Sequence, residues 1–252
     1  MLRQGKKDLL KWVIYENREK MGAAAAEAVG GRIKELLKEK ETVNIILASA
    51  PSQNDLLYSL KRMSGIDWSR VNAFHMDEYI GFGGDSPQSF SYYLKKHFFD
   101  VVTPREFFCI NGLADPEAEA KRYSQLLEEY PADICCLGIG ENGHLAFNDP
   151  HVADFNDPVA VKTVSIDDTS RMQQVHDGAF AKVEDVPRLA LTLTMPALLK
   201  AQFVTAVVPG PTKAEAVART LNGPIDEECP ATILRRHPNA VLYLDPDSAS
   251  LI

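Results

Sequence analysis

No run in this chain approaches the roughly 18 consecutive apolar residues of a membrane-spanning helix. The opening stretch from Met1 to Lys20 is broken by charges every few residues, so it lacks the uninterrupted apolar centre of a secretion signal. There is no excess of positive charge either. Lys and Arg number 27 against 35 Asp and Glu, a net charge of −8 with no basic run. That balance argues against nucleic-acid binding, which rests on neutralising phosphates, but one locally positive loop can still hold a small anion. Cysteine is scarce, with four residues and no C-x-x-C pair. Cys135 and Cys136 are adjacent, point to opposite faces if they lie on a strand, and cannot readily bridge each other. With histidine scattered rather than clustered, no metal site is expected, and the thiols read as buried groups in a reducing cytoplasm.

Repeats, low-complexity tracts and obvious linkers are also missing. The chain is 45% hydrophobic and 25% charged, ordinary globular values that exclude a disordered or fibrous protein. Its 252 residues suit a single domain over 1–252, large enough to need neither disulfides nor metal for its core.

Short apolar runs alternate with helical patterns. Strands are expected at Val43–Leu47, Val71–Met76, Ile134–Leu137, Ala190–Thr194, Phe203–Val208 and Ala240–Leu244. Helices are expected at Ala23–Lys40, Leu56–Met63, Pro87–Phe99, from the cap at Asp115-Pro116 to Glu129, and at Lys213–Leu221. Continuously apolar strands separated by helices imply an α/β fold, a mostly parallel sheet with helices on both faces. Ligands bind such sheets beyond the carboxyl ends of the strands, which directs attention to the segments after Leu47, Met76, Leu137 and Val208.

After Leu137 comes Gly138-Ile139-Gly140-Glu141-Asn142-Gly143-His144. The spacing fits the dinucleotide fingerprint, but Pro150 would break the helix that fingerprint must open. The glycines, Gly143 among them, instead let the backbone turn and approach a ligand, presenting His144. With Asn142 before it and Asp149 after it, His144 is a candidate general acid/base. After Met76, Asp77 and Glu78 end an apolar strand, and at least one is a candidate base. After Leu47, Ser49 and Ser52 flank a helix start that is either an anion site or a plain capped turn. Lys213 opens the last long helix, where the helix dipole disfavours a cation, so it either turns to solvent or faces a bound anion.

Taken together, Met76-Asp77-Glu78-Tyr79, Ser86-Pro87-Gln88-Ser89-Phe90 and the loop from Gly138 to Pro150 resemble the glucosamine-6-phosphate deaminase/isomerase family. Lys213 and the closing Leu234-Arg235-Arg236-His237-Pro238 are similar to that family's as well. The related 6-phosphogluconolactonases share the glycine-histidine loop and lack the Met-Asp-Glu-Tyr element. The resemblance implies a Rossmann-like fold without a dinucleotide. It also implies aldose–ketose isomerisation with loss of ammonia from an amino sugar phosphate, and no cofactor.

By the same resemblance, Asp77 is the base that shuttles a proton between C2 and C1, and His144 the acid/base that opens the pyranose ring. Asp149 stands where the family has a glutamate and Asn142 where it has an aspartate. Ser49, Ser52, Glu78, Gly143 and Lys213 are expected around the substrate. The family's phosphate loop reads here as Ser49-Ala50-Pro51-Ser52, in which Pro51 removes an N–H donor, and a phosphate-binding arginine is replaced near His176. The expected partner is a small sugar, phosphorylated, with no nucleic acid and no membrane; a homo-oligomer is left open. A sugar lactonase and a non-catalytic sugar-binding protein are the alternatives.

Overall fold

The computed structural model describes residues 1–252. Eleven strands and seven α-helices follow one another along the chain. In order they are β1 (Arg3–Lys7), β2 (Leu10–Ile14), α1 (Arg18–Glu39), β3 (Val43–Leu47), α2 (Asn54–Leu60), β4 (Val71–His75) and β5 (Asp77–Tyr79). Then come α3 (Phe90–Leu94), β6 (Glu106–Phe108), α4 (Pro116–Glu129), β7 (Ile134–Leu137), β8 (Val161–Ser165) and α5 (Asp168–His176). The last are β9 (Leu189–Leu193), α6 (Met195–Leu199), β10 (Phe203–Val208), α7 (Ala214–Asn222) and β11 (Ala240–Leu244).

Eight strands form one sheet in the order β1-β2-β11-β10-β7-β3-β4-β6, parallel throughout except for the antiparallel edge pair β1–β2. Adjacent residues of a central strand feed opposite faces. Ile46 and Cys135 join the core on one side, Ile45, Leu47 and Cys136 the core on the other. The two neighbouring cysteines therefore remain separate thiols, and burial pushes Cys136 up to about 12.

From β3 the strand order runs outward through β4 and β6, and from β7 it runs the other way through β10, β11 and β2. The crevice between β3 and β7 is the point where the winding reverses, the place where α/β sheets bind ligands. Leu47 and Cys136 are paired there, and the Ala48 amide donates to the Cys136 carbonyl at 2.9 Å. A second, three-stranded antiparallel sheet, β5-β9-β8, carries the chain beyond the end of β4. It closes over an aromatic cluster of Tyr79, Phe90, Phe147 and Phe180.

The expected strands lie at the stated positions to within a residue, and the parallel sheet is as read. Three helices differ. The expected Pro87–Phe99 helix is two pieces: α3, capped by Ser89, then a wider turn over Lys95–Phe99. The expected Leu56–Met63 helix starts and stops earlier, at Asn54 and Leu60. α1 begins a turn before Ala23, at an Asn17 cap whose side chain accepts from the Lys20 amide.

Candidate active site

Loops from the ends of β3, β4, β7 and β10 surround a cavity of about 420 Å³, with α5 forming one wall. Gln53 ties two of them together, since its Nε2 donates to the Val207 carbonyl at 3.1 Å and to Ser52 Oγ at 3.0 Å. Ser49, Ser52, Asp77, Gly138, Gly140, His144, Asp177 and Lys213 all line the cavity.

His144 is held by its Nδ1 side. Asn142 Oδ1 lies 2.8 Å from Nδ1, Ser170 Oγ 2.7 Å and Asp149 Oδ1 3.1 Å. The orientation of the Asn142 amide follows from its other end. Nδ2 donates to Asp149 Oδ1 at 2.9 Å and to Asp167 Oδ2 at 2.8 Å, so the acceptor oxygen must face the imidazole. Surrounded by acceptors, Nδ1 carries the ring proton, which leaves Nε2 as the nitrogen that meets a ligand. Asp149 is fully buried and accepts from Ser170 Oγ and from the Asp167 amide at 3.0 Å. Burial raises its pKa, but the contacts with His144, Asn142 and Ser170 outweigh that and hold it at about 2.

Glycine at 140 is a steric condition for this arrangement. A Cβ there would stand 2.2 to 2.4 Å from three ring atoms of His144. Past the histidine the backbone turns at Ala146, a non-glycine residue with φ of 52°, and Phe147 enters the cavity wall.

Asp77 faces the cavity from the start of β5, among Met76, Phe90 and Phe147. Burial, and then the neighbouring Glu78 charge, hold its carboxyl well above the ordinary range. Glu78 itself is a correction. Expected beside the substrate, it points the other way along the strand and is consumed by the protein. Its carboxylate accepts from Ser89 Oγ at 2.7 Å and from the amides of Tyr79, Phe90 and Ser91, fixing the start of α3.

Gly143 is a second correction. It does not line the cavity; with φ of 92° it makes the turn, and a Cβ would meet Cys229 Sγ at 2.6 Å. Lys213 does not turn to solvent. It is 6% exposed, borders the cavity, and its Nζ has no hydrogen-bond partner in the protein. Burial lowers its pKa, while Asp177 and Glu141 pull it back up. Ser49 Oγ in the same cavity is likewise buried and unpartnered. His176 does not line the cavity; it is half exposed, 3.4 Å from Glu141.

Ser170, Gln173, Gln174 and Asp177 were not foreseen, because α5 is polar along most of its length and shows no apolar stripe. The one available signal was the pair Asp167-Asp168, a helix cap.

Residues 16–243 match the family of glucosamine-6-phosphate isomerases and 6-phosphogluconolactonases. A Bacillus cereus glucosamine-6-phosphate deaminase is 37% identical over 227 residues, 90% of this chain and 84% of the relative. A monomeric glucosamine-6-phosphate deaminase of known structure superposes with a TM-score of 0.88 at 30% identity, covering 96% of this chain and 99% of that one. The Trypanosoma brucei 6-phosphogluconolactonase shares the fold, with a TM-score of 0.78 at 17% identity and coverage of 98% and 99%. The chain belongs to the glucosamine-6-phosphate isomerase/6-phosphogluconolactonase family.

Proposed function

We propose that this protein is a glucosamine-6-phosphate deaminase or the deaminase of a close relative of that sugar. The observation that carries this reading is one cavity in which a buried carboxylate, Asp77, and an oriented imidazole, His144, accompany an unpartnered ammonium, Lys213.

His144 Nε2 takes the proton of the anomeric O1 hydroxyl and delivers it to the ring oxygen O5 as the pyranose opens. Asp149 and Ser170 behind Nδ1 steady the charge that passes through the ring. Asp77 then removes the C2 proton of the open aldose, giving an enolamine, and returns a proton to C1. That leaves an iminium at C2, to which water adds; ammonia departs and the ketose phosphate remains. A carboxylate whose pKa is raised by burial suits this step better than an ordinary one, because its affinity for a proton lies nearer to that of the carbon acid. Met76, Phe90 and Phe147 keep water from the enolamine. Lys213 and the Ser49 hydroxyl take the phosphate. No helix of the chain is long and apolar enough to cross a membrane, and we infer that the reaction takes place in the cytoplasm.

Ammonia release from glucosamine 6-phosphate, measured beside hydrolysis of a 6-phosphogluconolactone, tests the reading. Lactone hydrolysis without ammonia marks a lactonase, and neither product marks a binding protein. Lys213→Ala should weaken the phosphorylated sugar by about tenfold or more, as a charge-assisted hydrogen bond is worth about 1.5–3 kcal/mol. Unphosphorylated glucosamine should be barely affected; equal losses would remove Lys213 from the phosphate.

A further inference from the structure

The end of the cavity that holds Lys213 also holds a carboxylate. Asp177, at the C-terminus of α5, lines the same wall together with Gln173. Burial raises the Asp177 carboxyl, and the Lys213 charge draws it back down. Yet the two make no ion pair, for Lys213 Nζ has no partner and the one hydrogen bond Asp177 Oδ2 accepts is a long 3.4 Å contact from Gln173 Nε2. Both charges are therefore free to act on whatever lies between them. A phosphate dianion there is drawn by one and repelled by the other, with Glu141 adding a second negative charge to the lysine's surroundings.

We propose, resting on the phosphorylated-sugar reading above, that Asp177 is a specificity-determining residue. It accepts the phosphate end of the substrate only with a proton shared between phosphate and carboxylate. A ligand group able to donate as well as accept suits the pair; a bare dianion does not. The groups that act on Asp177 are Lys213 before α7, Gln173 and His176 on α5 and Glu141 in the loop after β7; the Asp177 charge in turn is felt by Tyr79 on β5 and Tyr93 on α3.

The sign follows. Burial already favours the protonated carboxyl, and a bound phosphate favours it further, so the complex holds this proton more tightly than the free protein. Binding is strongest at low pH and weakens as pH rises from the free to the complexed pKa. Removing the charge at 177 should therefore strengthen binding at high pH, a gain that simple damage to the site would not produce.

Calorimetry with inorganic phosphate, which cannot be turned over, from about pH 5.5 to about pH 8 in buffers of different ionisation enthalpy, reads both affinity and protons taken up. A phosphate monoester titrates near pH 6 and inorganic phosphate about one unit higher; Asp177→Asn is the control that keeps the ionisations of phosphate and Lys213 and removes that of the carboxyl. The expected results are proton uptake in the unaltered protein and an approximately tenfold tighter Kd for Asp177→Asn at about pH 8, one pK unit of interaction. The two proteins should converge at the acid end. An Asn variant that binds no tighter at high pH, or takes up protons as the unaltered protein does, overturns the proposal; so does failure of phosphate to bind at any pH. Phosphate binding with the expected proton uptake but no ammonia from glucosamine 6-phosphate would overturn the deaminase reading and leave the role of Asp177 standing.

Discussion

Asn142 sits where the resemblance places an aspartate, and restoring that aspartate should harm this protein. The amide nitrogen donates to Asp149 Oδ1 at 2.9 Å and to Asp167 Oδ2 at 2.8 Å. Asn142→Asp replaces both donors by an acceptor. Each hydrogen bond to a charged group is worth about 1.5–3 kcal/mol, so about 3–6 kcal/mol is lost before any repulsion among three carboxylates is counted. Against a typical total stability of about 5–15 kcal/mol that is severe. At about 2–4 °C per kcal/mol for a chain of this length, Tm should fall by roughly 6–24 °C at neutral pH. The introduced carboxyl, half-buried and crowded by two like charges, has a folded pKa above its unfolded value of about 3.9. Its penalty is thus smallest below that unfolded value and grows with pH until the folded pKa is passed. Calorimetric melts of both proteins across this range give the comparison. Adding Asp167→Asn should recover much of the loss, because the new amide can donate to the introduced carboxylate while its oxygen still accepts from the Ser170 amide, as Asp167 does at 2.7 Å. Equal Tm values at neutral pH, or a double variant no better than the single one, would refute the arrangement.

Asp77→Asn should lower turnover by about 10²–10⁴-fold, the usual cost of losing a positioned base, while the sugar still binds; near-normal turnover would exclude Asp77 as the base. Since burial and Glu78 raise the Asp77 carboxyl, the acid limb of kcat/KM should fall above the ordinary aspartate range, and a limb at about pH 4 or below would contradict that. Gly140→Ala drives a methyl into the imidazole, so activity should drop at least about tenfold with little change in substrate affinity; an unaffected kcat would mean that His144 has no fixed place in the reaction.

The parts of the fold that could be read from sequence are those buried on both faces. β7 and β11 are unbroken apolar runs, β3 and β10 are interrupted only by Asn44 and Thr205, and runs of that length separated by helical patterns fit covered parallel strands. β1, with Arg3, Lys6 and Lys7 in five residues, lies at the open edge and looks like a loop. β5, β6 and β8 escaped because they are short or mark the rim of a sheet. At the site, Asp77, His144 and Lys213 were visible because each follows the end of a readable strand. Glu78 was misplaced although the period of two along β5 already sets it opposite Asp77. Ser170 could not be found, since 26 residues separate it from the histidine it touches, and only the folding of α5 against the glycine loop brings them together.

The two departures at 142 and 149 make one linked arrangement. A carboxylate one methylene shorter than glutamate reaches His144 from Asp149 at 3.1 Å, helped by the start of α5. The Ser170 hydroxyl contacts both groups, and the Asp167 amide steadies the other carboxylate oxygen at 3.0 Å. Bringing up the start of that helix also brings up its cap, Asp167, whose charge then lies beside Asp149. An aspartate at 142 would complete a cluster of three like charges, whereas an amide supplies one proton to each carboxylate and turns its oxygen to the imidazole. The negative charge given up at 142 is not missing from the site, because Asp167 carries one a single hydrogen bond further from the ring. What has changed is how the charge reaches the histidine: Asp149 touches it directly and through Ser170, and Asp167 acts only through the amide. Asn142 is therefore the residue this geometry requires, and a glycine loop with an amide at 142 and an aspartate at 149 holds His144 with one nitrogen protonated and the other facing the cavity.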